Sequence, residues 1–133
     1  IIPDDFAKNE SQLSAGKTLA DAMKEVYQAG INPYWWKITA LDNEEEWQTM
    51  TGVLDKYDPE VGVIILGNNA PIEQFDKWFR IARSTPHTCG FAVGRSIFWE
   101  PWIQFADGKI TETEVTSMIE ERYQQVINIW QNL

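Results

Sequence analysis

The sequence predicts an α/β fold built on a parallel sheet. Short runs rich in β-branched and aromatic residues alternate with helical stretches along the whole 133-residue chain, and the connectors between them are short. Such alternation implies right-handed strand–helix–strand crossovers. The run Gly62-Val63-Ile64-Ile65-Leu66 is apolar at both parities, as a parallel strand covered on both faces should be. Four strand–helix units amount to half of an eight-stranded barrel or, alternatively, to a small open sheet. A doubly wound dinucleotide-binding fold would carry a Gly-x-Gly-x-x-Gly turn after its first strand, and the chain has none.

The elements follow in order. Ile1-Ile2 reads as the end of a buried strand, followed by a polar loop and a helix from about Ser14 to Ala29. That helix carries Leu19, Ala22, Met23, Val26 and Tyr27 at helical spacing and stops at Gly30. Tyr34–Thr39 is a strand introduced by Pro33. The next helix has Asp42 or Asn43 as cap and Glu44, Glu45 and Glu46 in its first turn, where carboxylates suit the positive end of the helix dipole. Gly62–Leu66 is the third strand. Gly67-Asn68-Asn69 ends it, and Pro71 opens a helix bearing Ile72, Phe75, Trp78, Phe79 and Ala82. The fourth strand is Gly90–Val93, ending at Gly94-Arg95. A short turn or helix around Ser96 to Phe105 leads through Asp107-Gly108 to a last helix, about Glu112 to Asn128. Its core stripe is Val115, Met118, Ile119, Tyr123, Val126 and Ile127.

Composition narrows the function. The length suits one domain with a sizeable core. A net charge of −9 opposes generic binding to nucleic acid or anionic membranes, which need a positive field. The single cysteine, Cys89, forms no internal disulfide and, with the lone His87, no metal cluster. No apolar run reaches the roughly 18 residues that span a bilayer, and no signal peptide is expected, since the opening residues lack a basic region followed by an apolar stretch. A cytoplasmic protein is expected. Because the chain opens on Ile1-Ile2-Pro3-Asp4-Asp5 without methionine, residues 1–133 are expected to form one partial domain of a longer parent.

Lys37 is the most informative residue for chemistry. Trp35, Lys37 and Thr39 share one strand face and Trp36 and Ile38 the other, so the lysine stands among apolar neighbours. Desolvation of an ammonium favours the neutral amine, the form that attacks a carbonyl. A lysine whose stem is buried while its head reaches the rim fits the same pattern. The strand-end loops Gly67-Asn68-Asn69 and Gly94-Arg95-Ser96 are the second feature. Glycine lets backbone amides approach an anion, and Arg95 supplies a bidentate donor. The same residues also suit tight turns and a structural ion pair. Trp99-Glu100-Pro101-Trp102 reads as packing, His87 as an ordinary loop residue, and Glu44–Glu46 as a solvated helix start. Asp4 and Asp5 follow a strand end or cap the loop after it.

Three blocks carry a family resemblance: Gly30-Ile31-Asn32-Pro33-Tyr34-Trp35-Trp36-Lys37-Ile38, Val63-Ile64-Ile65-Leu66-Gly67, and Gly90-Phe91-Ala92-Val93-Gly94-Arg95-Ser96-Ile97-Phe98-Trp99. Together they resemble an uncharacterised-domain family often fused behind the bacterial 5-dehydro-2-deoxygluconokinase of myo-inositol catabolism. That domain is similar in turn to tagatose-1,6-bisphosphate aldolase and its class I relatives. The resemblance implies the C-terminal half of a (β/α)₈ TIM barrel, from the end of strand five to strand eight. Lys37 falls on strand six at the Schiff-base position. Arg95, Gly94, Ser96, Gly67 and Asn68 fall where such aldolases hold a substrate phosphate.

A class I aldolase acting on a phosphorylated keto-sugar or keto-sugar acid is therefore expected, with 5-dehydro-2-deoxygluconate 6-phosphate as the substrate that the pathway context implies. The alternative is a non-catalytic sugar-phosphate-binding or regulatory module attached to a sugar kinase. No metal or organic cofactor is implied. The general acid or base is expected upstream of Ile1, and the half-barrel is expected to pair with its N-terminal half or to self-associate. No Gly-rich phosphate loop with Lys and Ser/Thr occurs, so a kinase activity would belong to a different domain.

Overall fold

A computed structural model describes residues 14–133. In chain order its elements are α1 (Ala15–Gln28), β1 (Trp35–Thr39), α2 (Glu44–Tyr57), β2 (Gly62–Leu66), α3 (Gln74–Arg83), β3 (Thr88–Ala92), α4 (Arg95–Ala106) and α5 (Glu112–Gln131). The strands form one parallel sheet in the order β1-β2-β3, with Lys37 opposite Ile64 and Ile64 opposite Gly90.

The expected half-barrel is not what forms. The described residues make an open sheet of three strands with five helices, and β1 and β3 are both edges. Closing a barrel requires tilt and stagger shared over many more strands. The remaining expected strand, Ile1-Ile2, lies outside the described residues, as do Asp4 and Asp5.

Local chemistry fixes the helix starts. The Ser14 hydroxyl accepts from the Lys17 N–H at 3.2 Å, and the Asn43 side chain accepts from the Glu46 N–H at 2.9 Å. Helix α5 opens on a capping box: Glu114 N–H donates to the Thr111 hydroxyl, and Thr111 N–H donates to the Glu114 carboxylate at 2.7 Å. That backbone donor, helped by the Thr111 hydroxyl, holds the Glu114 carboxyl below its ordinary range.

Boundaries differ from expectation at α3 and β3. Pro71 opens a separate turn, closed by Gln74 N–H to Pro71 O at 3.1 Å and Phe75 N–H to Ile72 O at 3.0 Å, and α3 starts only at Gln74. Strand β3 begins two residues early because Thr88 already pairs with Val63, across an irregularity at Val63/Ile64. The segment after Gly94, read as a short turn or helix around Ser96 to Phe105, is a 12-residue helix with the Pro101 ring buried.

One face of the sheet is covered. Ile38, Val63 and Ile65 meet Trp47, Met50, Leu54, Phe75, Phe79 and Val126 in a single core. Phe79, Phe91 and Trp130 pack ring to ring at 5.1–5.6 Å, and Arg83 lies over Trp130 while donating to its carbonyl, which ties α5 to α3. His87, expected as an ordinary loop residue, sits in a turn but is buried. Its Nδ1 lies 3.1 Å from Val61 O and its Nε2 2.9 Å from Asp55 Oδ1. The core stripe expected on α5 is thinner than its sequence pattern: Val115 and Val126 are buried, but Tyr123 is exposed. The opposite sheet face is open. Trp35, Lys37, Thr39 and Ala92 are exposed there, and Ile64 and Leu66 only half-buried.

Helices α1 and α2 cross so closely at Gly16 that a Cβ there would overlap the Glu46 backbone. The Ala15 N–H also donates to the Glu46 carboxylate at 3.0 Å at this crossing. Helix propensity favours alanine over glycine by about 1 kcal/mol. Overpacking against rigid backbone costs about 1–3 kcal/mol. Gly16→Ala is therefore expected to lose up to about 2 kcal/mol net in urea denaturation, and a gain in stability would refute so close a crossing. Among the described residues no helix is long and apolar enough to cross a membrane.

Candidate functional site

Two adjoining hollows flank the start of α4. The first, of about 320 Å³, lies at the carboxyl edge of the sheet and is lined by Leu66, Gly67, Asn68, Ala92, Gly94 and Arg95. Leu66 and Ala92 end β2 and β3 and pair with each other, on the same sheet face as Lys37. In open parallel sheets, ligands bind beyond the carboxyl ends of the strands.

The loop after β2 has an unusual backbone. Asn68 and Asn69 both adopt left-handed conformations, with φ of 45° and 61°, and Ala70 N–H donates to Gly67 O at 2.9 Å. Asparagine tolerates that region better than most residues. Gly67 is needed for packing: a Cβ there would lie 3.0 Å from Val93 and 3.1 Å from the Phe75 ring. Gly94 precedes α4 as a cap without a side chain. The Ile97 and Phe98 N–H groups both donate to Gly94 O, at 2.8 and 3.2 Å. The Arg95 and Ser96 N–H groups make no backbone bond among the described residues and point their dipoles out of the helix start. The Arg95 side chain is exposed and in no ion pair among the described residues.

The sequence-chosen residues thus divide. Gly67, Asn68, Gly94 and Arg95 surround the first hollow. Ser96 instead lines the second, on the α4–α5 side, which Arg95 also borders. Lys37 lines neither hollow. It stands on the open sheet face, at the third of the five residues of β1, exposed and opposite Ile64. The apolar enclosure expected around it is missing among the described residues, where Trp35 is 55 % exposed and no helix covers that face. Among the described residues no three His, Cys, Asp or Glu side chains converge as a metal site.

Sequence reasoning missed the second hollow. It forms between two helices joined by the Asp107-Gly108 turn, and its Arg122–Glu100 ion pair links residues 22 apart. Trp99-Glu100-Pro101-Trp102, read as packing, instead divides: Pro101 is buried, while Trp99 and Trp102 are about half exposed. The available signal was the charged run Glu120-Glu121-Arg122, one helical hairpin away from Glu100.

No curated protein matches this chain. The model of one family, described as uncharacterised proteins conserved in bacteria (DUF2090), matches residues 2–133, and the chain belongs to that family.

Proposed function

We propose that this domain binds a phosphorylated keto-sugar or keto-sugar acid at the carboxyl edge of its sheet and acts on it as a class I aldolase. The observation that carries the reading is the first hollow. There a guanidinium in no ion pair among the described residues, two glycines and a helix start free of side-chain capping converge beyond β2 and β3, on the sheet face that also bears Lys37. Arg95 and the backbone amides of the Gly67-Asn68 and Gly94 turns hold the phosphate, which places the rest of the substrate over the open face.

The Lys37 amine adds to the substrate ketone, and loss of water leaves an iminium. A base takes the proton of the hydroxyl β to the iminium carbon, the electron pair of the breaking carbon–carbon bond flows into the iminium to give an enamine, and the aldehyde product leaves. Protonation of the enamine at carbon and hydrolysis of the resulting iminium then free the lysine. In myo-inositol catabolism, the context suggested by the resemblance, the substrate is 5-dehydro-2-deoxygluconate 6-phosphate. It would yield dihydroxyacetone phosphate and malonate semialdehyde. This chemistry needs no metal or organic cofactor.

The exposure of Lys37 favours a second reading, a sugar-phosphate-binding module without catalysis. Borohydride reduction in the presence of dihydroxyacetone phosphate separates the two. A reduced adduct on the Lys37 peptide, lost in Lys37→Met, is the expected mass-spectrometric result. If no adduct forms under conditions that trap a known class I aldolase, the chemistry is wrong and the binding module stands in its place.

A further inference from the structure

The second hollow, between the β2–α3 loop and helices α4 and α5, has a volume of about 510 Å³, a size that suits a small organic ligand. At its α4 end stands Ser96, only 9 % exposed, whose Oγ has no hydrogen-bond partner among the described residues. Native structures rarely leave a buried hydroxyl unpaired unless something beyond the protein meets it. Beside it lie the Arg95 side chain and the Arg95 and Ser96 N–H groups, without a backbone partner among the described residues, at the positive end of a 12-residue helix. The guanidinium, the two N–H groups and the hydroxyl can all donate to an anion, while the Glu73 carboxylate, which also lines the hollow, can accept from a ligand hydroxyl.

The α5 end has the opposite character. Glu121 and Gln125, one turn apart on the same helix face, line it together with the Glu100–Arg122 pair. Carboxylate and amide oxygens accept from hydroxyl groups, and the half-exposed Trp99, which also lines the hollow, offers it an apolar wall. A bare anion would leave the acidic end without partners, and an uncharged polyol would leave the donors of the α4 end unmet. A ligand with an anionic group at one end and hydroxyls at the other satisfies both.

We propose that this hollow is a second ligand site, for a phosphorylated polyol, with the phosphate on Ser96 and the start of α4 and the hydroxyls on Glu121 and Gln125. It lies across Arg95 from the sheet-edge hollow and requires no carbonyl in its ligand. It therefore stands or falls independently of Schiff-base chemistry at Lys37.

The test is a titration of ¹⁵N-labelled protein with glucitol 6-phosphate, which has no carbonyl and cannot form an iminium. The Ser96 amide, the Trp99 indole N–H and the Gln125 side-chain amide are expected to shift saturably. Ser96→Ala should raise the Kd at least tenfold. Glu121→Gln, an exposed and structurally mild change, should weaken glucitol 6-phosphate while leaving inorganic phosphate unaffected, and glucitol alone should give no saturable shift. Shifts confined to the Gly67 and Asn68 amides would place the ligand at the sheet edge, overturning the second site while sparing the proposed function. Absence of saturable shifts, or an unchanged Kd in both variants, overturns it as well. A failed borohydride trap at Lys37 leaves these expectations as they are.

Discussion

Truncating Trp47 to alanine is expected to remove about 3–5 kcal/mol of stability, the range for an aromatic side chain deleted from a packed core. Trp47 projects from α2, is fully buried, and belongs to the core that joins α2 and α3 to the sheet. Its indole N–H donates to the Thr85 hydroxyl at 2.9 Å, just beyond the end of α3, so the ring links two helices through a polar contact as well as by packing. Alanine would open a cavity too large to collapse and would leave Thr85 to its own bond with Ala82 O. Domains of this size have about 5–15 kcal/mol in total, so the variant would be close to unfolding. Trp47→Phe keeps most of the volume and loses the hydrogen bond, and should cost less than half as much. Urea denaturation followed by far-UV circular dichroism reads both variants. A loss below about 1 kcal/mol for Trp47→Ala would mean that α2 does not pack on the sheet as described.

The second large effect concerns Arg95. Its side chain borders both hollows and forms no ion pair among the described residues, so its guanidinium is available to a ligand anion. A hydrogen bond to a charged group contributes about 1.5–3 kcal/mol. Arg95→Ala is expected to weaken dihydroxyacetone phosphate binding by about 2 kcal/mol, close to thirtyfold, in isothermal titration calorimetry. Arg95→Lys should recover part of this, since a lysine keeps the charge but not the planar fork. Because the side chain is exposed, thermal stability should not change with either substitution. Unchanged affinity in Arg95→Ala would remove the phosphate from this end of the sheet, and the proposed function with it.

Much of the fold was legible in the residues because its cues are local. The run Val63-Ile64-Ile65-Leu66 and the cluster Tyr34-Trp35-Trp36 read as strands, and both are strands, with β1 starting at Trp35. Asn43 followed by three glutamates read as a helix start and caps α2. Where local cues competed, the reading slipped. Pro71 is a good first-turn residue, but the left-handed pair Asn68-Asn69 leads into a separate turn first, and α3 waits until Gln74. After Gly94 a short turn and a helix both stayed open; a 12-residue helix forms, with the Pro101 ring buried.

By itself the sequence determined the order and kind of the elements, the parallel sense of the sheet, and the residues available at its carboxyl edge. Each follows from periodicity and connector length, which act over a few residues. Only the tertiary structure decided what became of the two sheet faces. Alternation makes Trp35, Lys37 and Thr39 neighbours, but it does not say whether anything packs on them; α1, α2, α3 and α5 all contribute to the core on the other side, and Lys37 is left in solvent. The same holds for His87, buried by contacts 26 and 32 residues away, and for Ser96, which faces the α4–α5 hollow while its neighbour Arg95 borders both. These outcomes depend on contacts between distant segments, which hydrophobic pattern does not encode position by position. The same long-range pairing left an open three-stranded sheet where the strand–helix rhythm had been read as half of a barrel.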